Sequence, residues 1–249
     1  MSGRIEEKEY EIHYYEVDYK KRAFIMTLID YFNDVSTFQS EKLGIGIDYM
    51  IENNMAWILY KWDIDVKEYP RYGDKITVTT EPCAFKKFYG YRKFQVLDSN
   101  REVIATANSV WLLIDIKERK PVRVTDHIVR TYGLTDKDNE ILKIPNIKDL
   151  EKVDNSVELK IRYSDIDTNG HVNNGKYSAW LIESVPLEII SKYALTNIKL
   201  TYKKESKYGE AVKILSDIDY KENKVVITHR VVRENEEITL GETVWEKNS

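Results

Sequence analysis

The chain has 249 residues, 42% of them hydrophobic and 32% charged, with a net charge of −4. That length holds two domains of about 120 residues or one large one, and the charge excludes a globally basic nucleic-acid binder. A single cysteine, Cys83, excludes a disulfide framework or a cysteine zinc cluster within the chain, and no apolar run approaches the ~18 residues of a membrane span.

Four histidines, at 13, 127, 171 and 229, are too scattered to suggest a metal site, and no cofactor is expected. The charged start, Met-Ser-Gly-Arg-Ile-Glu-Glu-Lys-Glu, lacks the apolar core of a signal peptide, so a cytoplasmic setting is expected. His13 and His229 read as surface or satisfied core histidines, and the five tryptophans as core anchors.

In chain order, the periodicity predicts a strand near 10–18 and a helix from about 23 to 42, which would bury Phe24, Met26, Leu28, Ile29, Tyr31 and Phe32. Strands follow near 57–66, 74–81, 85–97 and 101–116. Residues 117–156 hold Pro121, Pro145 and many charges with little strand periodicity, and read as a connector with a short helix near 125–132. Then come a strand at 157–163, a helix at about 174–192, and strands at 197–204, 210–219, 224–233 and 236–246.

The two halves echo each other. Tyr72-Gly73-Asp74 matches Tyr208-Gly209-Glu210 ahead of a strand, and Ala107-Asn108-Ser109-Val110-Trp111 matches Gly241-Glu242-Thr243-Val244-Trp245. The Tyr-to-Trp separations are 39 and 37 residues, which argues for one supersecondary unit used twice. One helix followed by several antiparallel strands is an α+β pattern; a bent sheet around a long apolar helix is the hotdog arrangement. The expected organisation is two such hotdog repeats, an N-terminal one over 1–120 and a C-terminal one over 156–249, joined by a connector over 121–155.

The densest chemistry lies in Tyr163–Pro186. Asp167, Asn169 and His171 place a carboxylate, an amide and an imidazole at alternate positions before an amphipathic helix carrying Tyr177, Trp180, Leu181 and Val185. In an extended segment these three groups project to one side, beside a helix N-terminus that favours developing anions. Asp, Asn and Gly also cluster in ordinary turns, and Asn173 or Asn174 is a natural N-cap.

The string Ser-Asp-Ile-Asp-x-Asn-x-His-Val-Asn-Asn-x-x-Tyr-x-x-Trp-x-x-Glu-Ser-Val-Pro resembles the signature of the acyl-acyl carrier protein thioesterases. The resemblance implies a tandem (double) hotdog whose two repeats pair into one sheet, the N-terminal repeat shaping an acyl pocket and the C-terminal one catalytic, and hydrolysis of fatty acyl-carrier thioesters. The first-repeat counterpart, Val17–Arg22, has no Asn-x-His. His171 is the natural proton acceptor, Asn169 can hold water or carbonyl, and Asp167 can orient Asn169 or a backbone group.

The resemblance adds Glu205, in Tyr202-Lys203-Lys204-Glu205-Ser206, on the strand after the helix, and leaves open whether His171 or Glu205 is the general base. Many plant members have cysteine where this chain has Ser206, so no thiol mechanism is available there and direct water attack is expected. Asn173, Asn174, Tyr177 and Ser206 are expected to contact substrate. The implied partner is an acidic acyl carrier protein, docked on one of three local basic clusters; no nucleic acid or membrane partner is expected, and the state is monomer or homodimer. Coenzyme A as the carrier, or a non-catalytic acyl-binding role, are the alternatives.

Overall fold

The computed structural model describes residues 3–135 and 140–247; residues 136–139 of the expected connector lie outside them. The chain divides into two compact units, one formed by residues 1–60 and 67–144, the other by 61–66 and 145–249.

In the first unit, β1 (Glu6–Glu11) is followed by a short 3-10 turn at Tyr14–Glu16, α1 (Ile25–Lys42) and α2 (Ile47–Glu52). The expected strand at 10–18 is therefore corrected. The strand ends at Glu11, and the Glu16 carboxylate closes a 3-10 turn by accepting from the His13 amide at 2.7 Å. The strands β2 (Met55–Val66), β3 (Lys75–Lys86), β4 (Tyr89–Leu97) and β5 (Val103–Asp115) follow, then the short β6 (Lys120–Pro121) and α3 (Asp126–Thr131). In the sheet β1, β3, β4 and β5 pair antiparallel in that order, with β2 beside β5.

Ile25, Leu28, Ile29, Phe32 and Val35 recur at helical spacing and form the buried face of α1, with Phe32 5.1 Å from Phe94 of β4. Each such side chain contributes about 1.5–3 kcal/mol by leaving water. Phe24 is a correction: it is the residue before α1 and is exposed, while Met26 is only half-buried. A second apolar cluster gathers Ile45, Met50, Leu113, Val124, Ile128 and Tyr132, and so packs α3 against the strands. Thr125 caps α3 by accepting from the Ile128 amide.

In the second unit, β7 (Asn155–Lys160) leads into a 3-10 turn at Tyr163–Asp165, then α4 (Asn174–Glu183) and α5 (Leu187–Lys192). The single helix expected over 174–192 is thus two. Pro186 has no amide hydrogen to donate and stops the first, while serving as the residue before the second. β8 (Tyr193–Tyr202), β9 (Ala211–Tyr220), β10 (Lys224–Arg233) and β11 (Glu236–Lys247) complete it. The order is β8, β11, β10, β9, β7, all antiparallel, and Lys61–Asp65 of β2 pairs with the other side of β8. Tyr177, Trp180 and Leu181 form the buried face of α4. Each unit is a hotdog, and the fold is the tandem hotdog.

Candidate active site

The two units repeat each other bond by bond where the chain approaches its helix. In the first, the Asp18 amide donates to the Arg22 carbonyl (2.7 Å), Lys21 to Asp18 (2.8 Å), Ala23 to Pro70 (2.8 Å) and Phe24 to Glu16 (2.9 Å). In the second, Asp167 donates to His171 (2.8 Å), Gly170 to Asp167 (3.1 Å), Val172 to Ser206 (2.9 Å) and Asn173 to Asp165 (2.8 Å). The segment carrying Asp167, Asn169 and His171 is therefore a tight turn closed by the Ile166–Val172 bridge, not the extended run expected. Gly170 makes the reversal at φ +77, where a side chain is disfavoured.

Asp167 is the staple of this turn. Its Oδ1 accepts from the Asn169 amide (2.8 Å) and, more weakly, from the His171 amide (3.4 Å), and its Oδ2 from the Asn169 side chain (3.4 Å). Asp18 does the same in the first repeat, accepting from the amides of Lys20 (2.8 Å) and Arg22 (3.0 Å). The shared carboxylate shapes the turn; what differs is what the turn displays. Where the second repeat presents Asn169 and His171, the first presents Lys20 and Arg22, whose guanidinium is paired back to Asp18 at 2.9 Å.

His171 Nε2 lies 3.3 Å from Glu205 Oε2, with the two side chains 24% and 35% exposed, so solvent and a ligand can reach them. Glu205 sits in the loop after β8, three residues past its end, which corrects its expected place on the strand. That loop is held by Arg233 of β10, whose Nη1 donates to the Glu205 carbonyl (3.3 Å) and to Glu210 (2.6 Å), while its Nη2 donates to Glu236 (2.6 Å). Sequence reading missed Arg233: it is 28 residues from Glu205, and only strand pairing brings it near.

The remaining expected contacts fall around this pair. Asn173 is the N-cap of α4, its side chain accepting from the Gly175 amide at 2.7 Å, and Asn174 is the first helical residue, its carbonyl accepting from the Tyr202 hydroxyl at 2.9 Å. Ser206 is fully buried and its hydroxyl has no hydrogen-bond partner of good geometry among the described residues. The Tyr177 phenol lies close enough to feel that hydroxyl; burial pushes it up to about 12, with Ser206 opposing. The structure therefore joins His171 to Glu205 and Asp167 to Asn169, at the N-terminus of α4. An imidazole against a carboxylate can take a proton from water, and the amides of the first helical turn favour an oxyanion.

His229 lies elsewhere, fully buried in the second unit. Its Nδ1 is 3.1 Å from the hydroxyls of both Ser184 and Ser216, and its Nε2 is 2.9 Å from that of Thr243. Burial lowers its pKa to about 3, so it is neutral, a satisfied core histidine.

The comparisons with known proteins cover nearly the whole chain. The family profile described as acyl-ACP thioesterase N-terminal domain matches residues 3–132, and that described as acyl-ACP thioesterase C-terminal domain matches residues 148–247. The chain is 28% identical over 256 residues to the chloroplastic acyl-carrier-protein hydrolase FATB3 of Cuphea viscosissima, covering 96% of this chain and 61% of that one. It spans about 56–61% of the length of the first curated relatives it matches. An inferred oleoyl thioesterase from Lactobacillus plantarum superposes with a TM-score of 0.93 at 25% identity, covering 99% of this chain and 98% of that one. An acyl-ACP thioesterase from Bacteroides thetaiotaomicron gives 0.85 at 26% identity, covering 97% and 98%. With both halves matched in order and the tandem hotdog shared end to end, the chain belongs to the acyl-ACP thioesterase family.

Proposed function

We propose that the protein hydrolyses fatty acyl thioesters carried on acyl carrier protein, releasing free fatty acid and the carrier thiol. The observation that carries the reading is the His171–Glu205 pair, 3.3 Å apart, with His171 on a turn whose first-repeat twin has Arg22 in its place. Water attacks the thioester carbonyl as the pair takes its proton. The new C–O bond leaves an oxyanion facing the α4 N-terminus, and collapse breaks the C–S bond, the departing thiolate taking the proton back. Asn169, held by Asp167, orients water or carbonyl.

In this reading the second unit carries the chemistry. The first shapes the acyl pocket, with the half-buried Met55 and Trp57 flanking its second apolar cluster. A cytoplasmic setting accords with a lone, unpaired cysteine.

The test is turnover of matched carrier-linked and coenzyme A-linked acyl thioesters by the wild type, His171→Ala and Glu205→Gln. Carrier-linked turnover that falls by about a hundredfold or more in both variants supports the reading. Preference for coenzyme A would change the carrier, and no turnover with acyl-carrier binding intact would make this a binding protein.

A further inference from the structure

A net-positive surface of the first unit lies at its strand ends, away from the turn that matches the catalytic one. The β3–β4 hairpin turns through Lys87 and Phe88, with Lys86 beside them, and the β5–β6 turn carries Lys117 and Arg119, with Lys120 opening β6. The segment just past β6 meets the hairpin: the Val124 amide donates to the Lys87 carbonyl at 2.8 Å, which brings Arg123 to the same tip. Six basic residues therefore meet Asp115 and Glu118, and the tip stays net positive with Asp48 and Glu52 of α2 counted, in a chain whose net charge is −4.

Asp115 is committed to the turn, accepting from the amides of Lys117 (2.8 Å) and Glu118 (2.7 Å). Lys120 is 3.5 Å from Glu118, an exposed pair of little strength.

Lys87 and Arg119 occupy left-handed backbone in their turns, at φ +55 and +51, as Lys21 and Arg101 do elsewhere in the unit. What separates this tip from an ordinary solvated loop is the exposed apolar strip beside it: Ile47 and Ile51, one helical turn apart on α2, are 56% and 58% exposed, and Ile116 is 42% exposed. The Ile116 amide donates to the Asn54 carbonyl at 2.9 Å, which ties the strip to the basic turn.

We propose that this tip docks the protein part of the substrate, by seating an acidic face of the carrier protein that bears exposed apolar side chains. The proposal rests on the carrier-thioesterase reading. Lysines around a small aliphatic strip fit such a face by charge and by apolar burial together, whereas the clusters near Glu205 are largely neutralised. There Lys203 is paired with Glu237 at 2.6 Å, and Lys204 with Glu236. Electrostatic complementarity of this kind governs encounter and salt dependence more than the chemical step.

The experiment is binding of fluorescently labelled acyl carrier protein to the full chain across a salt series, together with turnover of a carrier-linked acyl thioester and of an uncharged acyl N-acetylcysteamine thioester. The tip variant is Lys86→Glu/Lys117→Glu/Arg123→Glu, which leaves both left-handed positions intact. The control, with the same change in net charge, is Lys160→Glu/Lys213→Glu/Lys224→Glu. The tip variant is expected to weaken carrier binding and raise KM for the carrier substrate by about tenfold or more, with a shallower salt dependence. Turnover of the uncharged thioester should stay within about twofold, and the control should bind carrier nearly as the wild type does.

Unchanged carrier binding in the tip variant, or equal losses in tip and control, overturns the proposal. So does a tip variant that loses affinity for anionic lipid vesicles but not for carrier. Wild-type failure to hydrolyse the carrier substrate would instead count against the proposed activity, while the binding arm still decides the surface.

Discussion

Asp167 reads from the sequence as orienting Asn169 or a backbone group, and in the fold it accepts from both, much as Asp18 accepts from backbone amides in a repeat without the His171–Glu205 pair. This gives a two-part expectation. Asp167→Asn keeps an oxygen for the Asn169 amide but sets its NH2 against the Asn169 side chain; it should leave stability within about 0.5 kcal/mol and lower kcat by about tenfold. Asp167→Ala removes the staple and should cost about 1 kcal/mol of stability as well, as loss of a cap does. Denaturant titration beside steady-state kinetics separates the two; equal effects of both substitutions would make the carboxylate charge itself the working part. Arg233 is a positioning residue for Glu205. Arg233→Ala should lower kcat on carrier-linked and truncated thioesters alike, with KM for the truncated one little changed, and Arg233→Lys should restore only part of it because a lysine cannot hold three acceptors in one plane.

At the scale of elements, the C-terminal end of α4 is tied to the sheet by the buried Ser184–His229–Thr243 chain, to which the Trp245 indole also donates at 2.9 Å. His229 is neutral in the fold with a pKa lowered to about 3, whereas in the unfolded chain it titrates near 6.5. The unfolded state therefore binds the extra proton as pH falls below ~6.5, and stability is lost by about 1.4 kcal/mol per pH unit down to ~3 from this group. Urea unfolding of the wild type and His229→Gln between those limits checks it: the variant should be less stable at neutral pH and show a shallower acid slope. Parallel slopes would mean that His229 takes up its proton in the folded state.

Packing of α4 on β11 is close enough that a side chain at Gly241 would run into Leu181. Gly241→Val should destabilise by about 1–3 kcal/mol, read from the shift in urea midpoint, since a filled interior tolerates added carbon poorly.

At the scale of the whole molecule, one supersecondary unit serves twice with different cargo on the same turn. The repeat was legible because its markers are local: Tyr-Gly-Asp and Tyr-Gly-Glu turns, the paired tryptophans, and strands such as β4 and β9 whose burial largely follows the period of two. The long apolar stripe of α1 was legible for the same reason, down to its end at Lys42. The break at Pro186 stood in the sequence too, but the apolar spacing on both sides of it ran on and concealed the stop.

The candidate site divides differently. Sequence alone determined which groups are available: a carboxylate, an amide and an imidazole before a helix, and a glutamate 34 residues beyond the histidine. It could not tell an extended run from a stapled turn, because Asp, Asn and Gly suit both until the partner carbonyls are in place. Tertiary structure alone decided that His171 faces Glu205, that Arg233 holds the Glu205 loop, and that Asp167 is occupied by backbone amides. Those contacts join residues on separate strands and loops, and no local preference encodes a distance that only the pairing of β8, β11 and β10 creates.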